Sequence, residues 1–219
     1  MPSAKYTIPL EPEKHYHIYN KGINGCKIFY KLDNYHYFIK KLKEYLNDYI
    51  EFYAYCLLPN HFHFLIRVKD LTRDATSLRD GILKVTNKDA IAQSDNISIS
   101  KIASEQFRKF FISYSQAINK QENRSGNLFI RHFKRIHVNS DKYLKDLVFY
   151  IHYNPVKHNF FNDYKNYAFS SYNSILSDKP TDLNRVELLE WFDGEKNYIE
   201  FHNYKHDLKR DFCLDDEDE

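Results

Sequence analysis

The chain has 219 residues, 42% of them hydrophobic and 28% charged, with a formal net charge of +2. That is enough chain for one domain, or for one domain with an appendage, and it is too apolar for a disordered segment. Three widely spaced cysteines, Cys26, Cys56 and Cys213, exclude a disulfide framework or a zinc pattern, and no apolar run approaches the length of a membrane span.

No basic-then-apolar leader opens the sequence, so a soluble, cytoplasmic protein without a membrane partner is expected. The charge is unevenly spread. Residues 215–219 are all acidic, whereas residues 101–165 hold twelve Lys/Arg against five Asp/Glu. A basic stretch of this kind suits a polyanionic partner, and equally suits solvated helix faces. The 19 Tyr and 17 Phe could stack on unpaired bases. A codon bias towards Tyr, Phe, Asn, Lys and Ile would give the same composition.

Taken in chain order, residues 16–20 (YHIYN) read as a strand and residues 21–26 as a turn with two glycines. Residues 33–48 carry a helical apolar stripe of Tyr37, Phe38, Leu42, Tyr45 and Leu46, with Asp33 as the expected N-cap. Residues 50–58 and 61–68 read as strands broken by Pro59-Asn60, which makes a hairpin. Residues 70–100 are polar and irregular and read as a loop-like insertion with room for a short helix. A helix follows over 104–121, a turn over 123–127 and a short strand over 133–138. The helix expected over 140–153 has Ser140 as its cap and Asn154-Pro155 as its stop. The order β-α-β-β-α-β defines an α+β, ferredoxin-like sheet, with one added helix and a C-terminal extension. We therefore expect a catalytic domain over 1–160 and an extension with an acidic tail over 161–219.

Three groups of residues could carry chemistry. His61 and His63 are two apart on a predicted strand, so they share a face, about 7 Å apart along the chain. Phe62, Phe64, Ile66 and Val68 take the other, apolar face. Two imidazoles so held can chelate a metal, and a His-x-His pair can equally be structural. His15 and His17 have the same spacing at the first strand, and spacing alone does not reject them, but His15 follows Glu-Pro-Glu-Lys and is expected to precede the strand proper. Tyr150 and Asn154, four apart, lie on one face of the last helix. There a tyrosine could attack while an amide oxygen meets a metal, or the pair could be a core tyrosine and a helix cap.

Four segments occur in order: YHIYNKG (16–22), FYAYCLLPNHFHFLIRV (52–68), RSGNLFIRHFKRIHV (124–138) and YIHYNPVKHNF (150–160). Together they resemble the REP-associated tyrosine transposases, which are insertion-sequence-200-like members of the HUH endonucleases. The resemblance covers roughly residues 15–176, with FSSY (169–172) near its end and EWFDGEKNYIEFH (190–202) similar to a tail of some members. The 70–104 segment is longer than in compact members.

The resemblance implies that His61, His63 and Asn154 bind a divalent metal, Mg²⁺ or Mn²⁺, and that Tyr150 is the nucleophile. The expected reaction is metal-dependent cleavage and rejoining of single-stranded DNA beside hairpins, through a 5′-phosphotyrosine intermediate. Hairpin-bearing single strands like repetitive extragenic palindromes are the expected partner, in a nucleoid-associated setting, and a homodimer would bring two ends together. Arg124, Arg131, Lys134, Arg135, Lys157 and His158 are the candidates for phosphate contacts. Other readings are a catalytically idle, domesticated hairpin-binding protein, a replication initiator or relaxase, and an RNA-binding module.

Overall fold

The computed structural model describes residues 8–71 and 95–208. Four strands form one antiparallel sheet: β1 (His15–Lys21), β2 (Ile50–Leu58), β3 (His61–Val68) and β4 (Lys134–His137), in the order β2-β3-β1-β4. This is the sheet order of a ferredoxin-like βαββαβ fold, as the chain order of elements implied. The crossovers are α1 (Leu32–Leu46) and α2 (Asp95–Gln121). They lie on one face of the sheet, where Phe38, Leu42, Phe107 and Phe110 pack on Ile18, Phe62, Phe64 and Ile66. The added helix, α3 (Asp141–Lys157), covers the opposite face.

Period-two alternation sorts the strands between the faces. Phe62, Phe64, Ile66 and Val68 enter the first core, while His61, His63, Leu65 and Arg67 turn towards α3 and the C-terminal segment, as expected. On β2 the register shifts between Phe52 and Ala54, a bulge that lets Tyr53 and Ala54 both join the second core.

The structure corrects several boundaries. Asp33 is inside α1 rather than capping it. The side-chain oxygen of Asn34 does that work, accepting from the backbone N–H groups of Tyr30 and Lys31, each at 3.0 Å. The expected loop over 70–100 mostly lies outside the described residues, but α2 starts at Asp95, so 95–103 is helix. Ile99, Ile102 and Ala103 are buried there, and this apolar spacing outweighs the polar residues around it. The last helix does not stop at Asn154-Pro155; it runs to Lys157. Pro155 removes one backbone hydrogen bond. Asn154 and Pro155 are nevertheless buried against the sheet, and His158 N–H bonds the Asn154 carbonyl at 3.0 Å, so packing carries the helix another turn. Ser140 caps it as expected, accepting from the Tyr143 N–H.

The segment after α3 is woven into the same core. It holds α4 (Tyr172–Ile175), α5 (Arg185–Trp191) and α6 (Glu195–Leu208). Tyr164, Tyr172, Ile175, Leu188, Phe192 and Tyr198 pack with Leu147, Val148 and Ile151 of α3. Backbone bonds from Leu57 to Phe169, Ser171 to Tyr55 and Asn184 to Phe52 cover the outer edge of β2. Among the described residues no helix is long and apolar enough to cross a membrane. The acidic tail at 215–219 lies outside the described residues.

Candidate active site

The two histidines sit just after a tight turn. Gly22 at the end of β1 donates its N–H to the Asn60 carbonyl, and a Cβ there would fall 2.0 Å from the Cys26 carbonyl oxygen. Only glycine lets these loops close so tightly. Pro59-Asn60 then starts β3, and His61 and His63 project from it side by side, with ring centroids 5.2 Å apart.

Each ring is fixed by a partner on its Nδ1. His61 Nδ1 lies 2.7 Å from Asn60 Oδ1, so the proton is on Nδ1 and the Nε2 lone pair faces inward. His63 Nδ1 lies 2.9 Å from Nε2 of His17 on β1, in a bond buried on both sides. Metal-ligating histidines are commonly oriented by such a bond on the other ring nitrogen. Burial, and then the neighbouring His63 and His158, push His61 down to about 2. Burial also holds His63 well below the ordinary histidine value, helped by His158 and Lys157. Both rings are therefore neutral around pH 7, the form that binds metals.

From the other side, α3 presents Tyr150, Asn154 and His158 at four-residue intervals. The Asn154 Nδ2 donates to the Tyr150 carbonyl at 2.9 Å, which turns its Oδ1 the other way. This amide lies beside His61. His61 Nε2 and Asn154 Oδ1 are both buried, and neither has a hydrogen-bond partner among the described residues. With the ring neutral both atoms are acceptors, so they cannot satisfy each other. Leaving such atoms buried without a partner is costly, and a cation between them removes that cost. The donor set of His61, His63 and Asn154 thus fits a divalent ion. Among the described residues no three His, Cys, Asp or Glu side chains gather into a metal cluster, so the amide and substrate oxygens would have to complete the shell.

The site opens into a pocket of about 330 Å³ lined by Tyr19, Lys21, Asn60, His61, His63, His132, Lys134, His158 and Phe160, among others. Asn159, with φ 56°, ends α3 in the left-handed conformation that asparagine tolerates, and the half-exposed Phe160 follows it at the pocket rim. Tyr150 is not in this wall. It lies behind it, 1% exposed, edge-on to His63 and His17 at centroid distances of 5.7 and 6.0 Å. Lys157 Nζ reaches its hydroxyl at 3.4 Å.

The structure brings Tyr150, His61, His63, Asn154, Lys134, Lys157 and His158 together. The other three basic candidates lie elsewhere. Arg124 is held against Cys26 Sγ and the Asn127 carbonyl. Arg131 lines an adjoining groove beside α2, together with Arg108 and Gln116, which shares Asn20, Ile130 and His132 with the pocket. Arg135 donates to Ser104 Oγ and the Ile8 carbonyl and lies over the Phe133 ring at 4.2 Å, and burial pushes it down to about 10. Sequence reasoning missed His17 and Asn60. The His-x-His spacing at 15–17 was a signal, but it pointed to ligation rather than to support of His63. His15 lies inside β1, paired with Arg67, rather than before the strand, and packs edge-on to Tyr53 and Trp191, away from the pocket.

An antiparallel sheet carries the His-hydrophobe-His pair opposite a tyrosine-bearing helix, the arrangement that the motif resemblance led us to expect. The likeness to the REP-associated tyrosine transposases, read first from motifs, is found again by comparison. The chain is 27% identical over 148 residues to a protein of Haemophilus influenzae (strain Rd) named for that family, covering 60% of this chain and 73% of the relative. A solved structure, that of a REP-associated tyrosine transposase bound to a REP hairpin, superposes with a TM-score of 0.56 and 16% identity over 82% of this chain and 90% of that one. At that identity the structural likeness shows the fold. No family model matches the chain.

Proposed function

We propose that this chain is a single-strand DNA endonuclease and strand transferase of the HUH tyrosine type, acting beside DNA hairpins. The observation that carries this reading is the meeting of His61 Nε2 and Asn154 Oδ1, two buried acceptors, on the α3 face that also bears Tyr150. The names of the two relatives support the choice of transposase and hairpin DNA.

In this reading His61, His63 and Asn154 hold Mg²⁺ or Mn²⁺. When bound, the ion supplies a Lewis acid for the scissile phosphate, and a ligand set without carboxylates leaves its charge undiminished. Mn²⁺ suits the imidazole nitrogens better than Mg²⁺. His17 and Asn60 hold the ring tautomers. Lys21 and Lys134 in the pocket wall meet the DNA backbone. The phenol of Tyr150 attacks phosphorus to give a 5′-phosphotyrosine and a free 3′-OH. The covalent bond conserves the phosphodiester energy, so a second 3′-OH can rejoin the strand without ATP.

The test uses 3′-end-labelled single strands from the DNA flanking the gene, with Mn²⁺, resolved on a denaturing protein gel. A labelled band at protein size, absent from Tyr150→Phe and His61→Ala, is expected. Tight hairpin binding with no band at any metal concentration would leave only a hairpin-binding protein.

A further inference from the structure

We propose that Lys157 is a catalytic residue that acts on the Tyr150 oxygen, rather than one more contact to the DNA backbone. The inference rests on Tyr150 being the nucleophile. Lys157 stands seven residues after Tyr150, two turns along the same face of α3. Its Nζ donates to the Tyr150 hydroxyl at 3.4 Å and lies 4.8 Å from the ring centroid. Lys157 is itself half-buried, with its ammonium set against the Tyr150 hydroxyl and ring. It lies over the ring it would activate, and the neighbouring His63 also feels its charge.

The chemistry needs a cation at that position in both directions. As the Oη–P bond forms, the P–O3′ bond breaks. The phenol proton passes to water and O3′ takes a proton from water. Negative charge crosses the phosphoryl group, and Lys157 touches the oxygen at one end of that path. In rejoining, Tyr150 is the leaving group, and the same ammonium meets the departing phenolate.

The experiment compares Lys157→Met and Lys157→Arg with wild type in single-turnover adduct formation, at saturating 3′-labelled hairpin strand from the gene's flanks and with Mn²⁺. Hairpin affinity is measured across a salt series, and melting temperatures establish that both variants fold. In Lys157→Met we expect adduct formation about 100-fold slower, as for loss of one preorganised donor, with affinity and salt slope unchanged. Lys157→Arg should recover part of the rate. If Lys157→Met instead keeps the saturated rate and lowers the salt slope by about one phosphate contact, Lys157 is a backbone contact and the inference fails. A wild type that binds but forms no adduct removes the nucleophile assignment, and the inference with it.

Discussion

Replacing His17 with phenylalanine takes one hydrogen bond out of the site and keeps the ring. His17 stacks with Tyr19 at 4.7 Å and with His63 at 5.2 Å, so a phenyl group retains the packing. What is lost is the 2.9 Å bond to His63 Nδ1. A buried polar group deprived of its partner costs about 1–3 kcal/mol, and His63 can recover part of that by rotating or by changing tautomer. Either response turns its Nε2 lone pair away from the proposed metal position. Loss of such a supporting bond typically weakens metal binding by about 10–100-fold. Isothermal titration with Mn²⁺, with no DNA present, measures this directly, and a thermal melt checks the fold. Wild-type affinity in His17→Phe, within about twofold, would refute the reasoning, because His63 would then need no help from β1 to face the ion.

Three other outcomes are expected. Asn154→Asp keeps an oxygen at the position and adds a negative charge, so it should bind Mn²⁺ more tightly, whereas Asn154→Ala should lose both metal affinity and adduct; equal affinities would take Asn154 out of the metal shell. Burial holds His61 near 2 and His202 near 3, with His63 and His152 well below the ordinary value. The unfolded chain therefore binds more protons below about pH 6.5, and stability should fall with pH by up to about 1.4 kcal/mol per unit for each of these groups; a metal-free melting temperature that stays flat from pH 7 to pH 5 would contradict their burial. Deleting residues 161–208 strips Leu188, Phe192 and Tyr198 from the second core, each worth about 1.5–3 kcal/mol against a total stability of about 5–15 kcal/mol. The shortened chain should be insoluble or molten, which expression and proteolysis would reveal.

The features legible in the sequence are those with a short period. His61 and His63 had to share a face, with Phe62 and Phe64 opposite, because side chains alternate along any strand. Tyr150 and Asn154 had to share a face because they are four apart on a helix. The element order was enough for the βαββαβ plan, and the observed sheet order is that of the ferredoxin-like fold. Helix ends were less legible. The Asp33 cap, the start of α2 and the apparent stop at Pro155 each depended on a local preference that burial outweighed.

What packing alone decided lies across the sheet and between layers. His17 supports His63 only because β1 pairs with β3 in a register that sets Tyr19 opposite His63. His17 and His63 are 46 positions apart, and no periodicity carries that information. Of six basic residues with similar local settings, Lys134, Lys157 and His158 reach the site, while Arg135 is spent on Ser104 and Ile8. A lysine or arginine side chain is long and flexible, so its destination is set by whichever partner the tertiary fold brings within reach. The C-terminal segment became part of the core for the same reason: the outer face of α3 had apolar surface to bury, and the residues that cover it come from far along the chain.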